Sequence, residues 1–309
     1  MRVAAIDVGT NSTRLLVAEE RAGGFRSIDR RMIITRLGQD VDRSRRLSPD
    51  ALKRTLAVVA DFAAVCGELE VDRLRITGTS AVRDARNRDE FFAGVRALTG
   101  QDPELLTGEA EAAATFVGAI SDLPGNETTL VLDIGGGSTE LILGRDGSER
   151  LVSMDIGCVR LHEKHLISDP PTAEELEALR VEVETSLSGA KSELTVPPGA
   201  RLIGVAGTVT QLASLHAGLP VYDPEVTHHA VLSHGDVRRL ARRLESLTYD
   251  QRRRVKGLEP GRADVIVAGA EILLKAMETF DAAEVLVSEK DILDGLVIEV
   301  LSGQAEEKA

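Results

Sequence analysis

Cysteine is scarce: the 309 residues hold two, Cys66 and Cys158. Two thiols make no disulfide framework, which points to a reducing cytoplasm. Cys66 falls on the apolar stripe of an expected helix and reads as core. Cys158, in DIGCVRL, has no His–acid pattern around it and reads as a small buried filler rather than a nucleophile. No apolar run is long enough to span a bilayer. The opening MRVAAIDVGTNSTRLLV reaches acids and polar residues too early for a secretory signal. Positive charge is in deficit. A net charge of −13 argues against a nucleic-acid or anionic-membrane surface, though not against an anionic ligand held locally. The basic clusters that exist are Arg43, Arg45 and Arg46; Arg83, Arg86 and Arg88; and Arg252, Arg253, Arg254 and Lys256. Most such runs are solvated faces, but a polyanion would need a few of them. The histidines lack metal spacing: HEKH at 162–165 is not H-E-x-x-H. His228, His229 and His234 could cluster, but they read as surface or polar-core side chains.

What is present is a repeat. Residues 7–17 read DVGTNSTRLLV and residues 133–143 read DIGGGSTELIL. Asp, Gly, Ser, Thr and Leu recur at the same five places. Each copy follows an apolar run and leads into another, which is the pattern of a β-hairpin with a tight turn. There is no Walker A loop, and strand rather than helix follows the glycines, so this is no dinucleotide fingerprint. Bare amides in such turns suit phosphate oxygens, and the hydroxyls can donate to them. The candidates are Gly9, Thr10, Asn11 and Ser12 in the first copy and Gly135, Gly136, Gly137, Ser138 and Thr139 in the second. Asp7, Asp133 and Glu140 would repel a naked phosphate. As hard oxygen ligands they suit Mg²⁺, with Mn²⁺ as a substitute. The turns are therefore expected to hold a metal-bound phosphate.

Around the repeat, strands and helices alternate, which gives an α/β class. Helices are expected from Ser48-Pro49, around 89–98, from Gly108 to Ile120, from the Thr172/Glu175 capping box, over 233–247 and near Asp291. Strands are expected at 74–77, 104–106, 201–205 and 285–287. A charged loop is expected over 250–262. The turn Leu123-Pro124-Gly125-Asn126 marks a boundary, giving domains 1–122 and 123–290. Two carboxylates open the 108–120 helix, Glu109 and Glu111. They project on different sides, so one could serve as a base, or both could merely complement the helix N-terminus. Arg83 leaves a strand through small residues and offers a planar fork for phosphate, or could pair with Asp84 or Asp89. Gly207 and Thr208 look like a further phosphate-side loop.

Six segments together, AIDVGTNSTRLLV, TGTSAVRDARN, the GEAEA helix start, LDIGGGSTELILG, GVAGTVTQL and GRADVIVAGAEIL, resemble the exopolyphosphatase and guanosine pentaphosphate phosphohydrolase family over essentially the whole chain. That family lies within the acetate kinase, sugar kinase, heat-shock chaperone and actin superfamily. The resemblance implies two ribonuclease-H-like (actin-like ATPase) domains flanking a cleft, with a C-terminal helix, about 291–309, returning to the first domain. It implies a Mg²⁺-dependent hydrolase of polyphosphate or guanosine pentaphosphate, cytoplasmic and homodimeric, with no nucleic acid or membrane partner. It matches Glu111 as the base and raises Arg83 above a surface pair. The SEKDILDG variant near the end resembles a short actinobacterial-type branch without the extra helical domains that longer members use to grip long chains. The rival expectations are a kinase, which would need an acceptor, and a non-catalytic polyphosphate or nucleotide sensor.

Overall fold

The computed structural model describes residues 1–123, 127–145 and 148–303. Pro124, Gly125 and Asn126, read above as interdomain punctuation, lie outside the described residues, as do 304–309 of the expected C-terminal helix. The chain divides into two compact units, 1–121 with the segment from Lys290 onward, and Asp122–Glu289. Among the described residues no helix is long and apolar enough to cross a membrane.

The first unit is built on a five-stranded sheet of β1 (Arg2–Val8), β2 (Ser12–Arg21), β3 (Gly24–Ile34), β4 (Arg73–Gly78) and β5 (Glu104–Leu105), ordered β3-β2-β1-β4-β5. β1, β4 and β5 run parallel, β2 is antiparallel to both of its neighbours, and β3 therefore runs in the direction of β1. Strand alternation explains the layering, because successive side chains point to opposite faces. Ala4, Ile6 and Val8 pack with Val59, Phe62 and Cys66 of the helix Pro49–Glu68 and with Phe91. Val3 and Ala5 pack on the other face with Ala114, Ile292, Leu296 and Val297. The helix Pro49–Glu68 starts where Ser48 accepts the Ala51 N–H, with Pro at the first turn.

Helix Gly108–Ile120 crosses helix Ile292–Ser302 at backbone contact. A Cβ on Gly295 would lie 1.8 Å from the Ala114 carbonyl oxygen, and one on Gly118 would lie 1.9 Å from that of Asp291. Gly295→Ala must therefore force the helices apart. It is expected to destabilise the protein by about 1–3 kcal/mol, read as a lowered midpoint in thermal unfolding. An unchanged midpoint would contradict the close crossing.

The second unit has a six-stranded sheet of β6 (Thr129–Ile134), β7 (Thr139–Arg145), β8 (Ser148–Met154), β9 (Arg201–Val205), β10 (Val231–Ser233) and β11 (Glu284–Val287), ordered β10-β11-β9-β6-β7-β8. β6, β9 and β11 are parallel, while β7, β8 and β10 are antiparallel to their neighbours. Read outward from β6, this repeats the first sheet: a hairpin on one side, β7 then β8, and parallel strands on the other. The sequence repeat is thus the visible part of a repeated sheet. Every residue of β6 is buried, as expected for a central strand covered on both faces. The helix Ala173–Glu193 opens on the Thr172/Glu175 capping box. Helix His234–Glu245 opens on a second box, Ser233 with Asp236.

Candidate active site

In each unit the candidate residues gather at the carboxyl ends of the parallel strands, where open α/β sheets bind ligands. The two hairpin turns are built alike. The Gly9 N–H donates to Ser12 O at 3.0 Å, and the Gly135 N–H donates to Ser138 O at 3.0 Å. The carbonyls of both turns are occupied from outside. Thr10 O accepts from Gly38 N (2.9 Å), and Asn11 O accepts from Thr35 N (3.1 Å) and Arg36 N (2.9 Å). In the second unit, Gly135 O accepts from Cys158 N (3.0 Å), and Gly136 O accepts from Val159 N (2.9 Å) and Arg160 N (3.1 Å). Gly137 O accepts from Arg160 Nε at 2.7 Å. Among the described residues the N–H groups of Thr10, Asn11, Gly136 and Gly137 donate to no backbone carbonyl. Carbonyls held on one side and amides left on the other are the geometry of concavities that can take an anion. Both polar atoms of the Asn11 carboxamide are buried there without a hydrogen-bond partner among the described residues. A buried amide in that condition is destabilising unless a ligand completes it.

Gly157 was not singled out in the sequence, yet the second turn depends on it. A Cβ there would lie 2.4 Å from Gly136 O, so only glycine lets the helix Cys158–His165 bring its first N–H groups against the turn. The only sequence signal was its place next to Cys158.

The two repeats differ in one charged position. In the first ladder Asp7 faces Arg14, and in the second Asp133 faces Glu140. Asp7 Oδ2 accepts from Arg14 Nη2 (2.6 Å) and Nε (3.2 Å), and Oδ1 accepts from Thr77 (3.4 Å). Burial pushes the Asp7 pKa above the ordinary carboxylate value, outweighing the pull of Arg14 in the other direction. Asp133 and Glu140 are both buried and share one face of the sheet as direct ladder partners. Ser153 Oγ donates to Glu140 Oε1 at 2.8 Å. Two adjacent carboxylates are a hard-oxygen donor set, and they fit a divalent cation such as Mg²⁺.

Arg83 and Glu111 meet in the first unit. The segment after β4 turns at Thr79, whose N–H donates to Val8 O at 3.3 Å and whose carbonyl accepts from the Arg83 N–H at 3.0 Å. Arg83 Nη1 donates to Glu111 Oε2 (2.6 Å) and to Leu106 O (2.9 Å). Its Nε and Nη2, the edge that grips a phosphate or carboxylate with two parallel bonds, make no hydrogen bond among the described residues. Neither Asp84 nor Asp89 is its partner; Asp84 lies 3.8 Å from Arg45. Thr107 caps the helix that carries Glu111, accepting from the Ala110 N–H at 3.1 Å. Glu109 is exposed, and its pKa is lowered chiefly by its own backbone N–H and then by Thr107. Of the two acids, Glu109 serves the helix end and Glu111 faces the arginine.

The turn after β9 is strained. Ala206 sits at φ +64°, a left-handed conformation that costs a non-glycine residue about 1 kcal/mol. Gly207 follows with the buried Arg262 guanidinium lying on it, since a Cβ there would be 2.1 Å from Cζ. Thr208 is buried. Arg262 thus brings a positive charge to this turn; in the sequence it closes the charged loop and opens the family-like segment GRADVIVAGAEIL, with no role assigned to it.

Cys66 and Cys158 are buried, and burial raises both thiol pKa values, that of Cys66 to about 11. His228 Nδ1 accepts from the Glu289 N–H (3.2 Å), which puts the ring proton on Nε2, where it donates to Asp122 Oδ2 (2.8 Å). His229 stacks on His228, with centroids 3.8 Å apart, and its Nε2 lies 3.5 Å from Asp122. The spacing of these three suits a metal, but this tautomer of His228 lacks the Nε2 lone pair that a metal needs. His234 pairs with Glu278 instead, and His165 with Glu182.

The basic run is corrected by the structure. Arg252, expected as an outer solvated residue, is buried. Its guanidinium donates to the carbonyls of Ala263 (2.6 Å), Leu247 (2.5 Å) and Leu244 (3.4 Å). It ties together backbone that would otherwise be unsatisfied. Arg253, Arg254 and Lys256 are exposed. Arg252→Ala is expected to lower stability by about 2–4 kcal/mol, whereas Arg253→Ala and Arg254→Ala should leave denaturant midpoints near the wild-type value. Equal midpoints for all three variants would contradict this division.

The sequence profile of the Ppx/GppA phosphatase family matches residues 16–306. Exopolyphosphatase 2 of Mycobacterium tuberculosis is 39% identical, over 96% of this chain and 98% of that protein. The crystal structure of an exopolyphosphatase-like protein superposes with a TM-score of 0.93 at 35% identity, covering 98% of this chain and all of that one. The Ppx/GppA family member of Aquifex aeolicus gives a TM-score of 0.83 at 34% identity, over 98% of each chain. With paired glycine- and serine-bearing hairpin turns on a repeated actin-like sheet and a family match along nearly its whole length, the chain belongs to the Ppx/GppA phosphatase family.

Proposed function

We propose that this protein is an exopolyphosphatase, which hydrolyses the terminal phosphoanhydride of inorganic polyphosphate with water and releases orthophosphate. The observation that carries the reading is the Arg83 fork, anchored by Nη1 to Glu111 and Leu106 O and presenting its Nε–Nη2 edge. The similarity to a protein named exopolyphosphatase supports the substrate.

Phosphoryl transfer asks the protein for positioning and charge stabilisation more than for covalent chemistry. Arg83 grips oxygens of the terminal phosphate and stabilises the charge that builds there. Glu111 orients the attacking water and takes its proton. The amides of Thr10, Asn11, Gly136 and Gly137, with the hydroxyls of Ser12 and Ser138, bind phosphate oxygens, and the Asn11 carboxamide completes its hydrogen bonds on the ligand. Thr139, expected from the sequence to join them, is fully buried and donates its hydroxyl to Ile156 O at 2.6 Å, so it holds the turn against the segment after β8 instead. The turn at Gly207 and Thr208, with Arg262, adds a further positive phosphate-side surface. A hard divalent cation, Mg²⁺ with Mn²⁺ as a substitute, would be held by Asp133 and Glu140 and would supply charge neutralisation on the polyanion.

The net charge of −13 repels a long polyanion at a distance, so capture depends on local cations. Neutralising Arg253, Arg254 and Lys256 together is expected to raise KM for long polyphosphate and leave the shortest substrates nearly unchanged, with the difference shrinking at high salt. Equal loss at every chain length, or none, would count against an extended binding track.

The reading is tested by supplying purified protein and Mg²⁺ with polyphosphates of defined length, guanosine pentaphosphate and ATP in parallel. Orthophosphate release fastest from polyphosphate supports it. Preference for guanosine pentaphosphate would make the protein a nucleotide 5′-phosphohydrolase, and binding without turnover would make it a sensor.

A further inference from the structure

The charged difference between the two repeats has a structural frame around it. Arg14 is held from two sides. Its Nε and Nη2 both donate to Asp7, and its Nη1 donates to Asp291. Asp291 is itself fixed. It caps the helix Ile292–Ser302 by accepting the Leu293 N–H at 3.0 Å, and its own N–H donates to Asp294 at 3.1 Å. Arg30, from β3, donates to Asp294 and lies 3.8 Å from Asp291. Asp7, Arg14, Asp291, Arg30 and Asp294 therefore alternate in sign through the first unit. The second repeat has two carboxylates, Asp133 and Glu140, where the first has an acid facing a base. A guanidinium bonded twice to a buried carboxylate already supplies the positive charge that a metal would bring, and it repels a second cation at the same spot.

We infer that Arg14, clamped between Asp7 and Asp291, is the built-in cation of the first turn, so that a divalent ion binds this chain at the Asp133–Glu140 pair and not at Asp7. The first turn then meets phosphate through its amides alone. Arg14 and Asp291 are positioning residues: they hold Asp7 and keep a metal from it. This revises the sequence expectation that placed Asp7 among the metal ligands, and it rests on the proposed metal role of Asp133 and Glu140.

The test is Mn²⁺ binding by calorimetry and by electron paramagnetic resonance, without substrate. It compares wild type, Asp7→Asn, Asp133→Asn, Glu140→Gln and Arg14→Glu, each checked for folding by circular dichroism. Asp133→Asn and Glu140→Gln are expected to weaken Mn²⁺ binding by about tenfold or more, and Asp7→Asn to change it less than about twofold. Arg14→Glu, which gives the first ladder pair the two carboxylates of the second, is expected to add a Mn²⁺ site. Loss of affinity in Asp7→Asn as large as in Asp133→Asn would overturn the inference while leaving the metal role of the second turn standing. Unchanged binding in both Asp133→Asn and Glu140→Gln would overturn that metal role and the inference with it. A folded Arg14→Glu protein with no added site would also overturn the part given to Arg14. Should that variant not fold, the comparison of Asp7→Asn with Asp133→Asn decides.

Discussion

Glu111→Gln is expected to fold normally, to bind polyphosphate and to lose ~10²–10⁴ of its turnover. The glutamine is nearly isosteric, and its carbonyl oxygen can still accept from Arg83 Nη1, so the 2.6 Å contact that orients the arginine has a substitute. What disappears is the group that takes the proton from water. A drop in kcat with little change in KM is the signature of an interaction made in the transition state rather than in substrate binding. Glu109→Gln is the matched control. Glu109 is exposed, and its pKa is lowered by its own backbone N–H and by Thr107, which marks a helix-end acid. It should retain nearly full activity. An active Glu111→Gln beside a dead Glu109→Gln would reverse the assignment.

Arg83→Ala should lower kcat/KM by ~10²–10³, the scale seen when one preorganised donor to developing charge is removed. Arg83→Lys should restore little of it. A lysine ammonium cannot bond Glu111 and Leu106 O while offering two parallel donors to a phosphate. Thermal midpoints of both variants should stay close to wild type, since the side chain is only half-buried and anchors no core packing. If lysine restores most of the activity, Arg83 acts as a point charge and its fork is irrelevant.

How far these residues could be read in advance differed from one to the next. The Gly/Ser/Thr turns stood out because each sits between apolar runs, and antiparallel hairpins β1–β2 and β6–β7 form there. β3 did not stand out. It is an edge strand, mostly exposed, and Arg26, Asp29, Arg30 and Arg31 break any alternation while guarding an open edge. Gly157 was illegible because its need arises from the backbone of Gly136, far away in sequence. Arg252 looked like its exposed neighbours because a run of charge does not say which member turns inward. The Arg14-for-Glu140 exchange lay in plain view within the repeat. Its meaning required Asp291, which only the fold brings to Arg14.

The central claim, hydrolysis at the terminal phosphate, is tested most directly by turnover of defined-length polyphosphate in oxygen-18 water with Mg²⁺ and no other acceptor. Water attacking the terminal phosphorus must leave a heavy oxygen in the orthophosphate it releases. Labelled orthophosphate, together with a chain shortened from its end, is the predicted result. Unlabelled orthophosphate, or no release until an alcohol or carboxylate acceptor is added, would contradict it.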